Sequence, residues 1–390
     1  PMDQTIAAAR DLFYLFSRRL RDIPCDPARL EQMQLRPMLS LAQQHTLGAM
    51  ACMSFEHAGL LERLSPEDAA ALKTIRDKAV RKVLLLDAGR QELFRFLDAN
   101  HIWHMPLKGV ILKDCYPALG MRQMSDNDIL YDSACQQQVR DFMISRGYTA
   151  VKVGKNHEDV YQKPPVYHYE LHTRLFDPHS TYAYAYYGDM LRRCSRQGYL
   201  YAMTQEDFYL YFLAHAYKHY SGGGTGLRHL LDCWVFLQKH GDALDRTYIR
   251  RELKLLGLTD FEAESRSLSQ ALLDAHQRAL TGEESRQLAY YISSGTYGTR
   301  QHWGENMTAA RMQQMHMDPA APDKKRYLWH RLFPGEAYYR TYAPFCARHV
   351  WARPFFGVYR LFRMLLDPRR RRRVQQETKA LQKQRPQKQD

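Results

Sequence analysis

Two aspartates one residue apart, Asp126 and Asp128, precede the short apolar run Ile129-Leu130-Tyr131. Alternate side chains of a strand share a face, so this spacing points both carboxylates the same way. Two negative charges held that close repel unless a cation sits between them. Hard carboxylate oxygens suit Mg2+ or Mn2+. A calcium loop of the EF-hand type begun at Asp126 would need Gly at its sixth position and Glu at its twelfth. Tyr131 and Gln137 stand there, which excludes it. Further along, Val166 to His172 is a β-rich run in which Glu170 and His172 fall on one face. Upstream, the mostly apolar Ile102 to Leu107 closes on Lys108-Gly109. Gly109 lets a backbone approach phosphates with no Cβ in the way. Lys108 offers positive charge at that turn or buries against an acid. Arg122, four residues before Asp126, has two roles open to it: clamping a phosphate, or pairing with an acid of the motif.

A second group of polar residues lies downstream. His215, Lys218 and His219 stand at i, i+3 and i+4, so they share one helix face. The Gly-rich stretch Ser221 to Gly226 has no Gly-Lys-Ser/Thr after it and is no P-loop. Arg228 and Asp232 follow at i, i+4. Zinc is disfavoured, because the His pair lacks the Glu of H-E-x-x-H and a further ligand. The seven cysteines include no C-x-x-C pair and fit a reducing compartment.

Taken in order, Leu107-Lys108-Gly109, Arg122-x-x-x-Asp126-x-Asp128, Glu170-Leu171-His172, His215-x-x-Lys218-His219 and Arg228-x-x-x-Asp232 resemble the bacterial uncharacterised nucleotidyltransferase family, within the DNA polymerase β-like nucleotidyltransferase superfamily. Arg331-Leu332-Phe333-Pro334 gives a weaker echo of the same family. The chain departs from the wider superfamily in having Val110, rather than Gly or Ser, after Gly109. The resemblance implies an α+β fold: a small mixed or antiparallel sheet flanked by large helical N- and C-terminal regions. It implies a metal-dependent transfer of a nucleoside monophosphate from an NTP to a hydroxyl, with release of pyrophosphate. Asp126, Asp128 and Glu170 are then the metal-binding, catalytic acids. Lys108, Gly109, Arg122, Lys218 and Arg228 contact the nucleotide, and His172, His215, His219 and Asp232 support them. The acceptor stays open among small molecule, sugar, RNA and protein. The competing reading is a non-catalytic protein that keeps the fold and binds nucleotides or polyanions.

These residues need a scaffold, and the chain divides to supply one. Residues 1–100 read as a helical cap, with Ser65-Pro66-Glu67-Asp68 as a strong helix start. The catalytic core spans 101–202, ending in a Tyr-rich connector of loop and short helix from 180. A helical lobe, 203–300, completes the cleft. The C-terminal extension, 301–367, begins with a polar, Met-rich loop to 323. It ends in an aromatic, basic amphipathic helix, Trp351 to Leu366, expected to dock back on the body. Residues 368–390 read as a disordered basic tail.

Composition is that of a soluble globular protein, 45% hydrophobic and 25% charged. No apolar run of membrane-spanning length occurs. The net charge of +14 favours polyanionic partners, and the tail from Pro368 carries nine basic residues against two acidic. That tail is expected to meet nucleic acid or an acidic membrane surface. The expected location is cytoplasmic, with peripheral attachment to the inner membrane surface as the sharper alternative.

Overall fold

The computed structural model describes residues 2–154, 157–177, 181–315, 317, 323–336, 338–339 and 343–383. The chain forms two compact units: Pro1–Tyr217 with Gly226–Thr296, and Lys218–Thr225 with Tyr297–Asp390.

The first unit opens with helices α1 (Met2–Arg21), α2 (Pro27–Gln32), α3 (Leu35–Gln44) and α4 (Gly48–His57). The apolar residues at helical spacing in α1, Ala9, Leu12, Phe13 and Phe16, are buried. The long helix α5 (Pro66–Ala99) starts where the Ser65 hydroxyl accepts from the Asp68 amide at 3.1 Å, with Pro66 just inside the cap. Its buried stripe, Leu72, Ala79, Val83, Leu86, Leu93 and Leu97, continues down to the sheet.

Among the described residues that sheet has seven strands: β1 (His104–Pro106), β2 (Asn127–Tyr131), β3 (Thr149–Lys152), β4 (Glu158–Lys163), β5 (Tyr167–His172), β6 (Ser195–Gln197) and β7 (Leu200–Ala202). Their order is β3-β4-β5-β2-β1-β7-β6, and the short helix α6 (Gly109–Leu112) follows β1. It is mixed, with β2 parallel to β5 and antiparallel to β1. Alternation sorts the side chains. Ile129, Tyr131, Tyr169 and Leu171 join Leu93 and Leu97 of α5 and Val139 and Met143 of α7 (Gln136–Ser145) in one core cluster. Asp128, Glu170 and His172, one residue out of phase, therefore point to the other face. Helices α9 (Gln205–Tyr220), α10 (Arg228–His240), α11 (Arg246–Leu256), α12 (Thr259–Leu273) and α13 (Gly282–Ser294) follow. An α+β fold with one mixed sheet between helical regions is thus the observed architecture.

Three segments differ from expectation. The connector from 180 holds a short helix, α8 (Thr181–Tyr186), but its second half is the β6–β7 hairpin, which pairs in parallel with β1 through His104 and Leu200. Residues 300–314 form a helix, Arg300–Gln314, rather than a loop. The Thr299 hydroxyl caps it, and Met312, Met315 and Met317 pack with Tyr327. The tail is helical from Pro368 to Lys383; residues 384–390 lie outside the described residues. Its sequence is rich in good helix formers. Glu377 anchors it, buried, accepting from Arg311 Nη1 and Arg331 Nε at 2.7 Å each. The helix Arg353–Leu366 packs by its Phe356, Gly357 and Arg360 side and exposes Phe355, Tyr359, Phe362 and Leu366. Among the described residues, no helix is long and apolar enough to cross a membrane.

Candidate active site

Strand register brings the acids together. In the parallel pair β2–β5, Asp128 lies opposite Glu170 and Leu130 opposite His172. Asp128 is buried, and one of its oxygens, Oδ1, accepts from Lys108 Nζ at 2.7 Å and from His172 Nε2 at 2.9 Å. Glu170 Oε2 stands 3.9 Å from the same ammonium and 3.8 Å from His172 Nε2. One cation thus faces two carboxylates. Lys108 reaches them from a turn with φ +44° and ψ −115°, a conformation that costs a side-chain-bearing residue roughly 1–3 kcal/mol.

The electrostatics of the acids diverge accordingly. Burial pushes the Asp128 carboxyl up, but the Lys108 charge and the His172 hydrogen bond outweigh it and hold the group well below the usual range. Glu170 is pushed up to about 8, by burial and then by the Asp128 charge. Asp126 is also raised, by burial and then by Asp128, against the pull of Lys108, His168 and Arg228. His172 is lowered by burial and by Lys108, which favours neutral imidazole, and its buried Nδ1 has no hydrogen-bond partner among the described residues. The pocket therefore holds two of its three acids toward the protonated form.

Its donor set fits a divalent cation. Ligand atoms of Asp128, Glu170 and His172 all lie within 4.8 Å of one another. Asp126, just before β2, stands outside that group but close enough to couple electrostatically with Asp128. A second group within the same reach, His157, Glu158 and His172, adjoins the first. Lys152 Nζ already donates to Glu158 there, at 2.8 Å.

Arg122 makes a buried, bidentate pair with Asp232, from Nε to Oδ1 at 2.8 Å and Nη2 to Oδ2 at 2.9 Å. Tyr116 donates to the same carboxylate at 2.8 Å. Of the two roles open to Arg122, pairing with an acid is therefore the observed one, and the acid is Asp232 rather than one of the motif. Asp232 in turn holds Arg122 and Tyr116. Gly109 serves this packing: a Cβ there would meet Arg122 Nη1 at 2.7 Å and Met124 Cε at 3.1 Å. Arg228 Nη1 donates to the Gln123 carbonyl at 3.3 Å, which keeps its charge near Asp126. His215 lies on α9 with its ring 6.3 Å from that of Tyr211. Lys218 and His219 occupy the last turn of α9, within the second unit.

Three residues near the acids were not singled out in the sequence. Tyr211 of α9 is buried and feels the charges of Lys108, Asp128 and Glu170. His168 sits two residues before Glu170 on the same strand face and acts on Asp126. Lys82 comes from α5. Burial lowers its ammonium, and Asp126 pulls it back up. One turn further along α5, the Leu86 carbonyl accepts from Asn127 Nδ2 at 3.0 Å, and two turns along, Arg90 donates to Asn127 Oδ1 at 3.1 Å. The signal for Lys82 was available: a lysine beside the apolar stripe of Ala79, Val83 and Leu86.

A family model described as uncharacterised nucleotidyltransferase matches residues 31–274. No curated protein and no solved structure matches the chain.

Proposed function

The chain belongs to the uncharacterised nucleotidyltransferase family, and from that premise we propose that it transfers a nucleoside monophosphate from an NTP to a hydroxyl acceptor. The observation that carries this reading is the trio Asp128, Glu170 and His172, with ligand atoms within 4.8 Å of one another and one lysine to balance two carboxylates. Asp126, Asp128 and Glu170 would hold Mg2+ or Mn2+, and the bound ions would lower the pKa of the attacking hydroxyl and stabilise the departing pyrophosphate. The new bond joins the acceptor oxygen to the α-phosphorus. The bond from that phosphorus to the pyrophosphate oxygen breaks in line with it.

The chain's own groups have distinct tasks in this scheme. Glu170, whose carboxyl is raised by burial and by Asp128, would give up its proton as the ion binds and, as a carboxylate on the acceptor side, take the proton of the attacking hydroxyl. Asp128 stays ionised throughout, because Lys108 and His172 favour its charged form. His172 donates to Asp128 and fixes which oxygen is free. Lys108, its place at Asp128 taken by a bound cation, would be free to contact the triphosphate. Lys82 and Arg228 supply further cationic charge on the Asp126 side. Arg122 and Asp232 act at one remove, by fixing the segment between Gly109 and Asp126.

The test is turnover. The protein is incubated with each α-labelled NTP, Mg2+ or Mn2+, and an acceptor pool from cell lysate, beside protein carrying Asp126→Asn and Asp128→Asn. Label transfer and pyrophosphate release that vanish in the double variant are expected. Absence of both turnover and metal-dependent NTP binding in the parent protein would sink the reading.

A further inference from the structure

The helix Arg353–Leu366 is amphipathic in the inverse sense for a docked helix. Its inner side carries Gly357, whose missing Cβ makes room for the Phe333 ring, and Arg360, which lies over Tyr338 at 4.6 Å. Its outer side carries the apolar residues. Trp351 just before the helix, then Phe355, Val358, Tyr359, Phe362 and Leu366, follow at i+4, i+7, i+8, i+11 and i+15, which is one continuous stripe. They are not grazing exposures: Trp351 is 67%, Phe355 70% and Leu366 79% exposed. An apolar stripe of this length on a protein surface marks an interaction site.

Charge says what covers it. Between Lys324 and Asp390 there are 18 Lys and Arg against 4 Asp and Glu, so the whole +14 excess of the chain falls there and residues before it balance to zero. Three of its four acids are spent internally: Glu336 pairs with Arg353, Asp367 with Arg370, and Glu377 with Arg311 and Arg331. Arg363 beside the stripe and Arg371 and Arg372 beyond its end are exposed. We propose that this helix lies in the surface of an anionic lipid bilayer, its aromatic stripe at the level of the acyl boundary and the arginines on the headgroups. Trp and Tyr favour that boundary, and neighbouring arginines add attraction to acidic lipid. A single-stranded nucleic acid would use the arginines and stack on the aromatic rings, but Val358 and Leu366, which continue the stripe, offer it neither a ring nor a hydrogen bond.

The test uses the full chain and sedimentation with vesicles of phosphatidylcholine, alone or mixed with phosphatidylglycerol. Binding to the mixed vesicles and little to the neutral ones is expected. Phe355→Ser with Phe362→Ser weakens it by at least about tenfold. Arg370→Gln, Arg371→Gln and Arg372→Gln together weaken it by on the order of 100-fold. All five side chains are exposed, so both variants keep the parent's melting temperature. The proposal fails if mixed vesicles do not bind, or if the Phe variant binds as well as the parent, which would leave adhesion by arginines alone. It also fails if the stripe instead supports concentration-dependent dimers lost in the Phe variant, or if RNA binding depends on the stripe and vesicle binding does not.

Discussion

Two buried ion pairs in the first unit look alike and do opposite things. Arg122 and Asp232 are closed: two parallel hydrogen bonds match guanidinium to carboxylate, and Tyr116 adds a third. Lys108 and Asp128 are open: the same ammonium also faces Glu170, and that second acid is left with a carboxyl at about 8. Desolvating charge is costly, and a pair offsets the cost only when every lone pair and proton is met. The Arg122 site meets that condition and reads as a strut. The Lys108 site does not, and a carboxyl pushed toward neutrality by burial and a like charge is what a working site shows.

Breaking each pair should separate the roles. Asp232→Asn leaves Arg122 and Tyr116 buried around a neutral partner, so it lowers unfolding free energy by roughly 3–5 kcal/mol, read by urea denaturation. Asp128→Asn costs far less stability, because Glu170 remains to take the Lys108 charge. Instead it lowers nucleotide transfer by on the order of 10³-fold, the several kcal/mol expected from losing a metal-held charge. If Asp128→Asn unfolds the protein as readily as Asp232→Asn, the contrast between the two pairs is lost.

Lys108→Met sharpens the same contrast. The Lys108 ammonium faces both Asp128 and Glu170, the acids that hold the ion in the proposed reading. Removing it should tighten Mn2+ binding by about tenfold near neutrality, as loss of a neighbouring like charge implies. Free Mn2+ measured by electron paramagnetic resonance reports this with no turnover needed. Weaker Mn2+ binding in the variant would mean that Lys108 organises the acids and does not compete for them.

Proton dependence follows from Glu170. Its carboxyl lies at about 8 in the fold against an ordinary value of 4.5. The folded chain keeps the proton longer, so this contribution to stability is full below about 4.5 and lost as pH rises through about 8. Asp128 runs the other way: its depressed carboxyl gives stability above its ordinary value of 3.8 that is lost only as pH falls below it. Metal-free protein should therefore lose melting temperature between about pH 4.5 and 8, and Glu170→Gln should shrink that slope, with raised Asp126 supplying the remainder. Mn2+ affinity should climb by up to about tenfold per pH unit until about pH 8, and then level. A flat Mn2+ profile in the parent protein would place the raised carboxyl outside the metal's reach.

What was legible in the sequence follows the periodicities. Asp126-x-Asp128 and Glu170-x-His172 could be placed on strand faces because side chains alternate with a period of two, and β2 and β5 then pair in the register that brings Asp128 to Glu170. The helix starting at Ser65 was legible from its cap. Partners brought together by the fold were not: nothing near Arg122 announces Asp232, which lies 110 residues away. The β6–β7 hairpin was hidden by its brevity and half-exposed pattern, since strands of three residues carry too little alternation to stand out among tyrosines. The tail misled through its charge, because a basic run signals disorder unless an acid such as Glu377 is buried against arginines from elsewhere.

Lys82 tests the edge of that legibility. It comes from the helical cap, yet its half-buried ammonium faces Asp126 from beside the point where α5 meets Asn127. If it only balances Asp126 in the resting protein, Lys82→Ala raises the Asp126 carboxyl further and shifts the pH profile of Mn2+ binding upward, with NTP affinity unchanged. If it reaches the phosphates, the same change raises KM for NTP by up to about fivefold, the range of a solvent-screened charge contact, while kcat holds. Lys82→Arg keeps the charge and restores KM in the second case. The second outcome is expected, because Asp126 already draws on Lys108, His168 and Arg228, and a lysine whose ammonium is lowered by burial gains most from a multiply charged ligand.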